Sequence, residues 1–303
     1  MAKMAVEICG VSFKNPIITA SGTYGFGREF NEFFPLERLG GIACKAVTPE
    51  EKLGNPPPRV AETPSGMLNA VGLQNPGVNR FIREALPWLK KQNTVIIANV
   101  AGSSLEDYCQ VATALEDTDV DFLELNISCP NVKKGGMQFG TSYEGVEAVT
   151  KAVRSHTSKP LMVKLSPNVT DIVDIAKAAE SGGADCLSLI NTLLGMRIDV
   201  RTRRPILHNN VGGLSGPAVF PVALRMVWQV ASHVDLPVIG IGGIAKWQDA
   251  VEMMLAGATA VQIGTANFTY PDTPLKVLAG MEEYLESQHV EDINEIIGTV
   301  KPW

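Results

Sequence analysis

The feature that most constrains this chain is an alternation. Eight short apolar runs, at residues 16–20, 41–47, 94–98, 122–125, 161–164, 186–190, 238–240 and 260–263, have the length and composition of buried strands. Helix-like segments separate them. Val219, Val222, Ala223, Met226, Val227 and Val230 fall on one face of a 3.6-residue period. Ser181-Gly182-Gly183-Ala184-Asp185 and Ala256-Gly257-Ala258 read as helix ends leading into the next strand. Eight such alternations predict parallel strands closed by helices, the α/β class and the (β/α)8 TIM barrel. An open doubly wound sheet is the competing arrangement, but no GxGxxG follows an early strand. Residues 4–13 alternate loosely around Cys9-Gly10 and predict an N-terminal β-hairpin before the barrel. The chain is longer than a typical barrel by ~50 residues. The excess falls in long βα-loop insertions at 48–78, 127–142 and 192–216. No linker composition divides the sequence, so a single domain over 1–303 is expected.

Composition matters here for what it excludes. A net charge of -6 without a block of Lys or Arg argues against nucleic acid or an anionic membrane as partner. No apolar run approaches the roughly 18 residues of a membrane span. The first residues, with Lys3 and Glu7, lack the apolar stretch of a secretory signal. A cytoplasmic protein is expected. The five cysteines are widely spaced, with no CxxC pair for a metal or iron–sulfur site. Four of them read as small core residues.

The fifth, Cys129, does not. It sits in Phe122-Leu123-Glu124-Leu125-Asn126-Ile127-Ser128-Cys129-Pro130-Asn131, where an apolar strand runs into amides, a hydroxyl and a thiol. Packed cores have no use for such groups at the mouth of a strand, whereas catalytic sites do. Reading the other predicted strand ends gives Ala20-Ser21-Gly22, Lys45, Asn99, Lys164, Asn191-Thr192, Gly242-Gly243 and Gly264-Thr265. Two lysines and three asparagines without Asp or Glu suit an anionic, heteroaromatic or phosphorylated ligand. Gly242-Gly243 and Gly264-Thr265, after the seventh and eighth strands, stand where barrels commonly bind phosphate. Gly212-Gly213 and Ser215-Gly216 add donors from the sixth loop.

On residues alone, two chemistries stay open for the lysines. A desolvated lysine such as Lys164 can form a Schiff base. A lysine that keeps its charge can stabilise negative charge developing on a cofactor ring. Cys129 has three readings: nucleophile, redox thiol or general base. Nucleophilic pairing wants a nearby histidine, and His156 and His233 fall at presumed helix ends while His208 lies in a long loop. Proton abstraction needs one thiolate of suitable pKa and is the preferred chemistry.

The loop from Leu125 to Asn131, continued by Val132-Lys133-Lys134-Gly135-Gly136, resembles the catalytic loop of class 1 dihydroorotate dehydrogenases. The resemblance extends to Ala20-Ser21-Gly22-Thr23-Tyr24-Gly25, Lys45-Ala46-Val47-Thr48, Asn69-Ala70-Val71-Gly72-Leu73-Gln74-Asn75-Pro76-Gly77, Ile190-Asn191-Thr192, Gly213-Leu214-Ser215-Gly216-Pro217 and Gly240-Ile241-Gly242-Gly243-Ile244. It implies an FMN-dependent barrel oxidising dihydroorotate to orotate in pyrimidine synthesis. Cys129 would be the base at C5 while hydride leaves C6 for flavin N5. Lys45, Asn69, Gly72, Leu73, Asn126, Asn131, Asn191 and Thr192 would hold the substrate. Ala20, Ser21, Lys45, Asn99, Asn126, Lys164, Ile190, Gly216, Gly242, Gly243, Gly264 and Thr265 would hold FMN, with Gly216 and the last four around its phosphate. Lys164 would face the N1/O2 edge of the ring, which decides against the Schiff base.

Within class 1, the Val-Lys-Lys-Gly-Gly continuation and Ser21-Gly22-Thr23-Tyr24-Gly25-Phe26-Gly27 resemble the NAD-linked form. That resemblance implies an electron-transfer partner subunit carrying FAD and a 2Fe-2S cluster, in a heterotetramer of two catalytic and two electron-transfer chains. Fumarate-linked relatives commonly carry Ser-Met after the substrate asparagine, where this chain has Ala70-Val71. The competing expectations are the fumarate-linked enzyme, a related flavin barrel acting on another pyrimidine and, more distantly, a Schiff-base lyase using Lys164.

Overall fold

The computed structural model describes residues 2–127 and 139–303. Eight strands close a parallel barrel in chain order: β1 (Ile17–Thr19), β2 (Gly41–Ala43), β3 (Val95–Val100), β4 (Phe122–Asn126), β5 (Leu161–Lys164), β6 (Cys186–Leu189), β7 (Val238–Ile241) and β8 (Ala258–Ile263). Closure is made by β8 pairing with β1, Gln262 opposite Ile18 and Ile263 opposite Thr19. Every predicted strand is present, with ends displaced by a few residues. Buried on both faces, these segments read as continuous apolar runs, as parallel strands covered by helices must.

Helices Leu105–Glu116, Tyr143–Arg154, Ile172–Ser181, Phe220–Ala231, Trp247–Leu255 and Thr273–Ser287 pack outside the barrel. The expected helix face is seen: Ala223, Met226, Val227 and Val230 are buried in Phe220–Ala231. Ser104, Ser142 and Asp171 cap three of these helices by accepting from the free N–H of Asp107, Gly145 and Val173. The first crossover departs from the sequence expectation. Between β1 and β2 there are only two 3-10 turns, Phe30–Glu32 and Leu36–Arg38. Gly25 and Gly27 at positive φ and Pro35 in an extended conformation break any longer helix.

The predicted hairpin is formed by Val6–Ile8 and Val11–Phe13, turning at Cys9-Gly10. It stops the N-terminal end of the barrel. Phe13 is fully buried with its ring 5.8 Å from that of Phe122, the first residue of β4. Two carboxylates finish this end by accepting strand N–H groups. Asp121 Oδ2 takes the Ile96 N–H, and Asp185 Oδ2 takes the Leu161 N–H and Arg154 Nη1, each at 2.7 Å.

The opposite end carries the insertions. Two of the three long loops fold together, which the sequence did not suggest. Val60–Thr63 and Gly66–Asn69 from the second loop join Leu193–Gly195 and Gly212–Ser215 from the sixth in one four-stranded antiparallel sheet. Their glycines obscured the strand pattern, since Gly212 and Gly213 occur where partners approach closely. Among the described residues, no helix is long and apolar enough to cross a membrane.

Replacing Asp185 with Ala leaves the buried Leu161 N–H unpaired. Urea unfolding is expected to show a loss of ~1–3 kcal/mol with an unchanged slope. An unchanged midpoint would mean that solvent satisfies that N–H.

Candidate active site

The C-terminal strand ends line one mouth, and their polar residues are joined from below. Glu124, at the third position of β4, is completely buried inside the barrel. Its Oε2 accepts from Asn99 Nδ2 at 2.5 Å, and its Oε1 accepts from Ser188 Oγ at 2.9 Å and Gln262 Nε2 at 2.8 Å. Lys164 Nζ, also buried, lies 3.9 Å from Oε2. Residues on β3, β4, β5, β6 and β8 thus meet at one carboxylate. The strand ends read from the sequence carry no Asp or Glu, and Glu124 lies inside its apolar run rather than at the end of it. A signal was there: Glu124 and Asn126 are two apart, and such residues share one face of a strand.

Above this layer the amides are linked in series. Asn126 Nδ2 donates to Asn99 Oδ1 at 3.5 Å, and Asn191 Nδ2 donates to Asn126 Oδ1 at 3.2 Å. The Thr192 N–H then donates to Asn191 Oδ1 at 2.8 Å. Tyr108 Oη holds the Asn126 carbonyl at 3.0 Å. Asn126 and Lys164 are register partners on neighbouring strands. Asn99 was expected at the rim, but β3 continues to Val100 and places it within the barrel, fully buried.

The second predicted strand is shorter than expected. The ladder is broken after Ala43, because the Lys45 N–H turns to the Gly25 carbonyl at 2.8 Å before Val47 returns to the Asn99 carbonyl at 2.9 Å. Burial pulls the Lys45 ammonium below its ordinary pKa, and the nearby Arg59 charge adds to the fall.

The antiparallel sheet brings Asn69 to the same end, with its Nδ2 donating to the Gly213 carbonyl at 3.4 Å. A Cβ on Gly213 would lie 2.1 Å from Thr192 Oγ1, so Gly213 admits Thr192 to this position. Gly72 and Leu73 form a left-handed turn, with φ of 76° and 55°. Asn75 secures it. Its Nδ2 donates to the Leu73 carbonyl at 2.7 Å, while its Oδ1 accepts the N–H groups of Thr48 and Gly77. Asn75 lies in the Asn69–Gly77 stretch, and its buried bonding pattern is not readable from spacing.

The glycines after β6 to β8 converge on the start of Phe220–Ala231. Gly216, Gly242 and Gly243 have φ of 100°, 123° and 78°. A Cβ on Gly243 would lie 2.6 Å from Phe220 Cβ, and one on Gly242 would lie 3.2 Å from Ile190 Cγ1. Gly216 adjoins Thr265, whose Oγ1 donates to Ser215 Oγ at 2.8 Å. Gly264 is beside Ala20, whose N–H reaches the Ile263 carbonyl, and Ser21 is buried next to it. Only glycine leaves backbone open at such a junction, beside N–H groups that a helix start does not use. This donor set fits a phosphate, and the buried lysine and amides below it fit a polar heteroaromatic ring. Together they fit FMN.

Cys129 and Asn131 lie outside the described residues. Of the four cysteines taken as core, Cys44 and Cys186 are buried, whereas Cys9 and Cys109 are only half-buried. Burial pushes the thiols of Cys44 and Cys186 above their ordinary pKa. His156 and His233 lie at helix ends and His208 on an exposed loop, as expected. Among the described residues, no group of three or more His, Cys, Asp or Glu is placed to hold a metal.

A family model described as "Dihydroorotate dehydrogenase" matches residues 3–285. The chain belongs to the dihydroorotate dehydrogenase family. Relatives named "Dihydroorotate dehydrogenase B (NAD(+)), catalytic subunit" are similar over nearly their whole length. One from Alkaliphilus oremlandii is 59% identical over 97% of this chain and 98% of its own. Another from Bacteroides thetaiotaomicron is 56% identical over 99% and 100%, and one from Thermoanaerobacter pseudethanolicus is 53% identical over 98% and 99%. The family match spans the barrel and both loops of the antiparallel sheet.

Lys45 gives this site a pH signature. Its folded pKa lies below its unfolded one, so the unfolded chain binds more protons between the two. Stability therefore rises with pH through that window, up to about 10.5. The difference in unfolding free energy between wild type and Lys45→Met is expected to shift towards wild type from pH 7 to 10. A constant difference would show that Lys45 is well solvated.

Proposed function

We propose that this chain is the catalytic subunit of an NAD-linked dihydroorotate dehydrogenase, one FMN-binding barrel domain over residues 1–303 that oxidises dihydroorotate to orotate in pyrimidine synthesis. The observation that carries this reading is the joined series of Lys164, Asn99, Asn126, Asn191 and Thr192 at the mouth of a barrel from this family. It offers alternating donors and acceptors beside a positive charge, the complement of a cyclic diamide bearing a carboxylate.

Ala20, Ser21, Lys45, Asn99, Asn126, Lys164 and Ile190 hold the FMN ring and ribityl chain in this reading, and Gly216, Gly242, Gly243, Gly264 and Thr265 hold its phosphate. When bound, FMN supplies the acceptor for the hydride that leaves C6 of dihydroorotate. Lys45, Asn69, Gly72, Leu73, Asn126, Asn131, Asn191 and Thr192 bind and orient the substrate. Cys129 takes the proton from C5, and Lys164 keeps a positive charge where negative charge develops. The left-handed turn that presents Gly72 and Leu73 is held by Asn75.

The names of the relatives support a second chain that carries electrons onward. FAD and a 2Fe-2S cluster belong to that electron-transfer subunit, in a heterotetramer of two catalytic and two electron-transfer chains. In this reading the electrons taken from dihydroorotate would reach NAD only when the partner is present.

Anaerobic addition of dihydroorotate is expected to bleach the visible flavin absorbance of the purified chain, and Cys129→Ser is expected to slow bleaching by at least ~10²-fold with FMN retained. Unchanged bleaching in the variant would remove the base assignment. Efficient NAD reduction by this chain alone would remove the partner.

A further inference from the structure

Glu124 is not among the residues that touch ligand in the reading above, yet Asn99, Asn126 and Lys164, the polar residues that do so on β3, β4 and β5, are linked back to it. The described donors around it all point inward: Asn99 Nδ2, Ser188 Oγ, Gln262 Nε2 and, at 3.9 Å, Lys164 Nζ. A carboxylate only accepts, so each amide beside it must present nitrogen. For Asn99 this turns Oδ1 upward, where it accepts from Asn126 Nδ2. Asn126 must then present Oδ1 to Asn191 Nδ2, and Asn191 presents Oδ1 to the Thr192 N–H. One acceptor-only group at the base thus sets the orientation of three successive amides.

Gln262 supplies an independent sign that the carboxylate dictates orientation. Its Nε2 donates to Glu124, and its buried Oε1 has no hydrogen-bond partner among the described residues. A stranded buried oxygen costs about 1–3 kcal/mol, so the orientation is imposed rather than preferred by Gln262 itself. Were the amide free to choose, it would relieve that oxygen.

We propose that Glu124 is a positioning residue that fixes the donor–acceptor pattern of Asn99, Asn126 and Asn191 at the mouth, and with it the recognition of the pyrimidine ring. The proposal rests on the dihydroorotate dehydrogenase reading. Asn126 and Asn191 each carry a donor and an acceptor, and a rotated amide would oppose like to like across the ring. Recognition of this kind is steep, because a mismatched buried polar group is left unpaired on both sides.

The test is a double-mutant cycle on orotate binding to FMN-loaded protein, followed by flavin absorbance. Glu124→Gln keeps the shape but provides a donor as well as an acceptor, so Asn99 is released from its orientation. It is expected to weaken orotate at least tenfold, as is Asn191→Ala. In the double variant the combined loss is expected to fall well short of the product of the two single losses, because part of the effect of Glu124 passes through Asn191. A merely structural role would give additive losses, and additivity overturns the proposal, as does wild-type affinity in Glu124→Gln.

If Glu124→Gln does not fold or does not retain FMN, Asn99→Leu cuts the series above Glu124 while leaving its other three partners. Weakened orotate, non-additive with Asn191→Ala, supports the proposal, and wild-type affinity or additivity overturns it. The two readings fail separately. Wild-type protein that holds FMN but neither binds orotate nor bleaches with dihydroorotate removes the function. Wild-type binding with an additive cycle removes only the role of Glu124.

Discussion

A carboxylate inside a ring of parallel strands is expensive. Removing one ion from water costs several kcal/mol even after relaxation, and the cost is offset only where its lone pairs are filled by well-placed donors. Glu124 meets that condition with three hydrogen bonds and one ammonium, drawn from β3, β5, β6 and β8. Each donor is held by a different strand, so the carboxylate is satisfied only when the barrel is closed in this register. A slip of one residue would turn Glu124, Asn99 or Lys164 to the other face of its strand. The same interaction therefore ties the closure of the fold to the arrangement of the mouth.

Above that fixed layer the site is built by insertions. The second loop carries Asn69, Gly72 and Leu73 and the sixth carries Thr192, and the two loops pair in one sheet. Asn69 is opposite Gly213 in the shared sheet, and Leu68 opposite Leu214. Pairing between two insertions converts long connections, which are costly to order singly, into one hydrogen-bonded unit. Asn75 then binds this unit to Thr48, at the end of the segment that carries Lys45. The residues proposed to face the substrate and those proposed to face the ring are thus positioned by separate devices, a sheet above and a carboxylate below.

How much of this was legible follows from what each residue interacts with. Asn126, Lys164 and Asn191 could be read from the sequence because they end apolar runs, where local pattern and position in the barrel coincide. The eight strands were legible for the same reason. Glu124 was not, since its meaning lies in partners 25, 64 and 138 residues away. Asn99 was placed at the rim because the end of an apolar run was taken for the end of β3, which continues to Val100. The four-stranded sheet was hidden by Gly66, Gly195, Gly212 and Gly213. These lower strand propensity in isolation and are required where close approaches leave no room for a Cβ. The shared rule is that sequence periodicity reports burial, whereas long-range hydrogen bonding has no period.

The distribution of charge explains why an acidic chain can host an anionic substrate and a phosphorylated cofactor. Its net charge of -6 is a property of the whole surface. The mouth is governed instead by what is buried, and there the balance differs. Lys164 is matched at 3.9 Å by Glu124, whereas burial and the nearby Arg59 charge both pull the Lys45 ammonium below its ordinary pKa. Among the described residues, half-buried Lys45 and buried Lys164 with the one Glu124 carboxylate leave an excess of positive charge at the strand ends. Low-dielectric walls strengthen such an excess well beyond its value in water. The asymmetry also divides the lysines by task. The paired one holds a fixed position within the barrel, and the desolvated one would be relieved by an anion settling beside it, which would return part of the cost of burying Lys45.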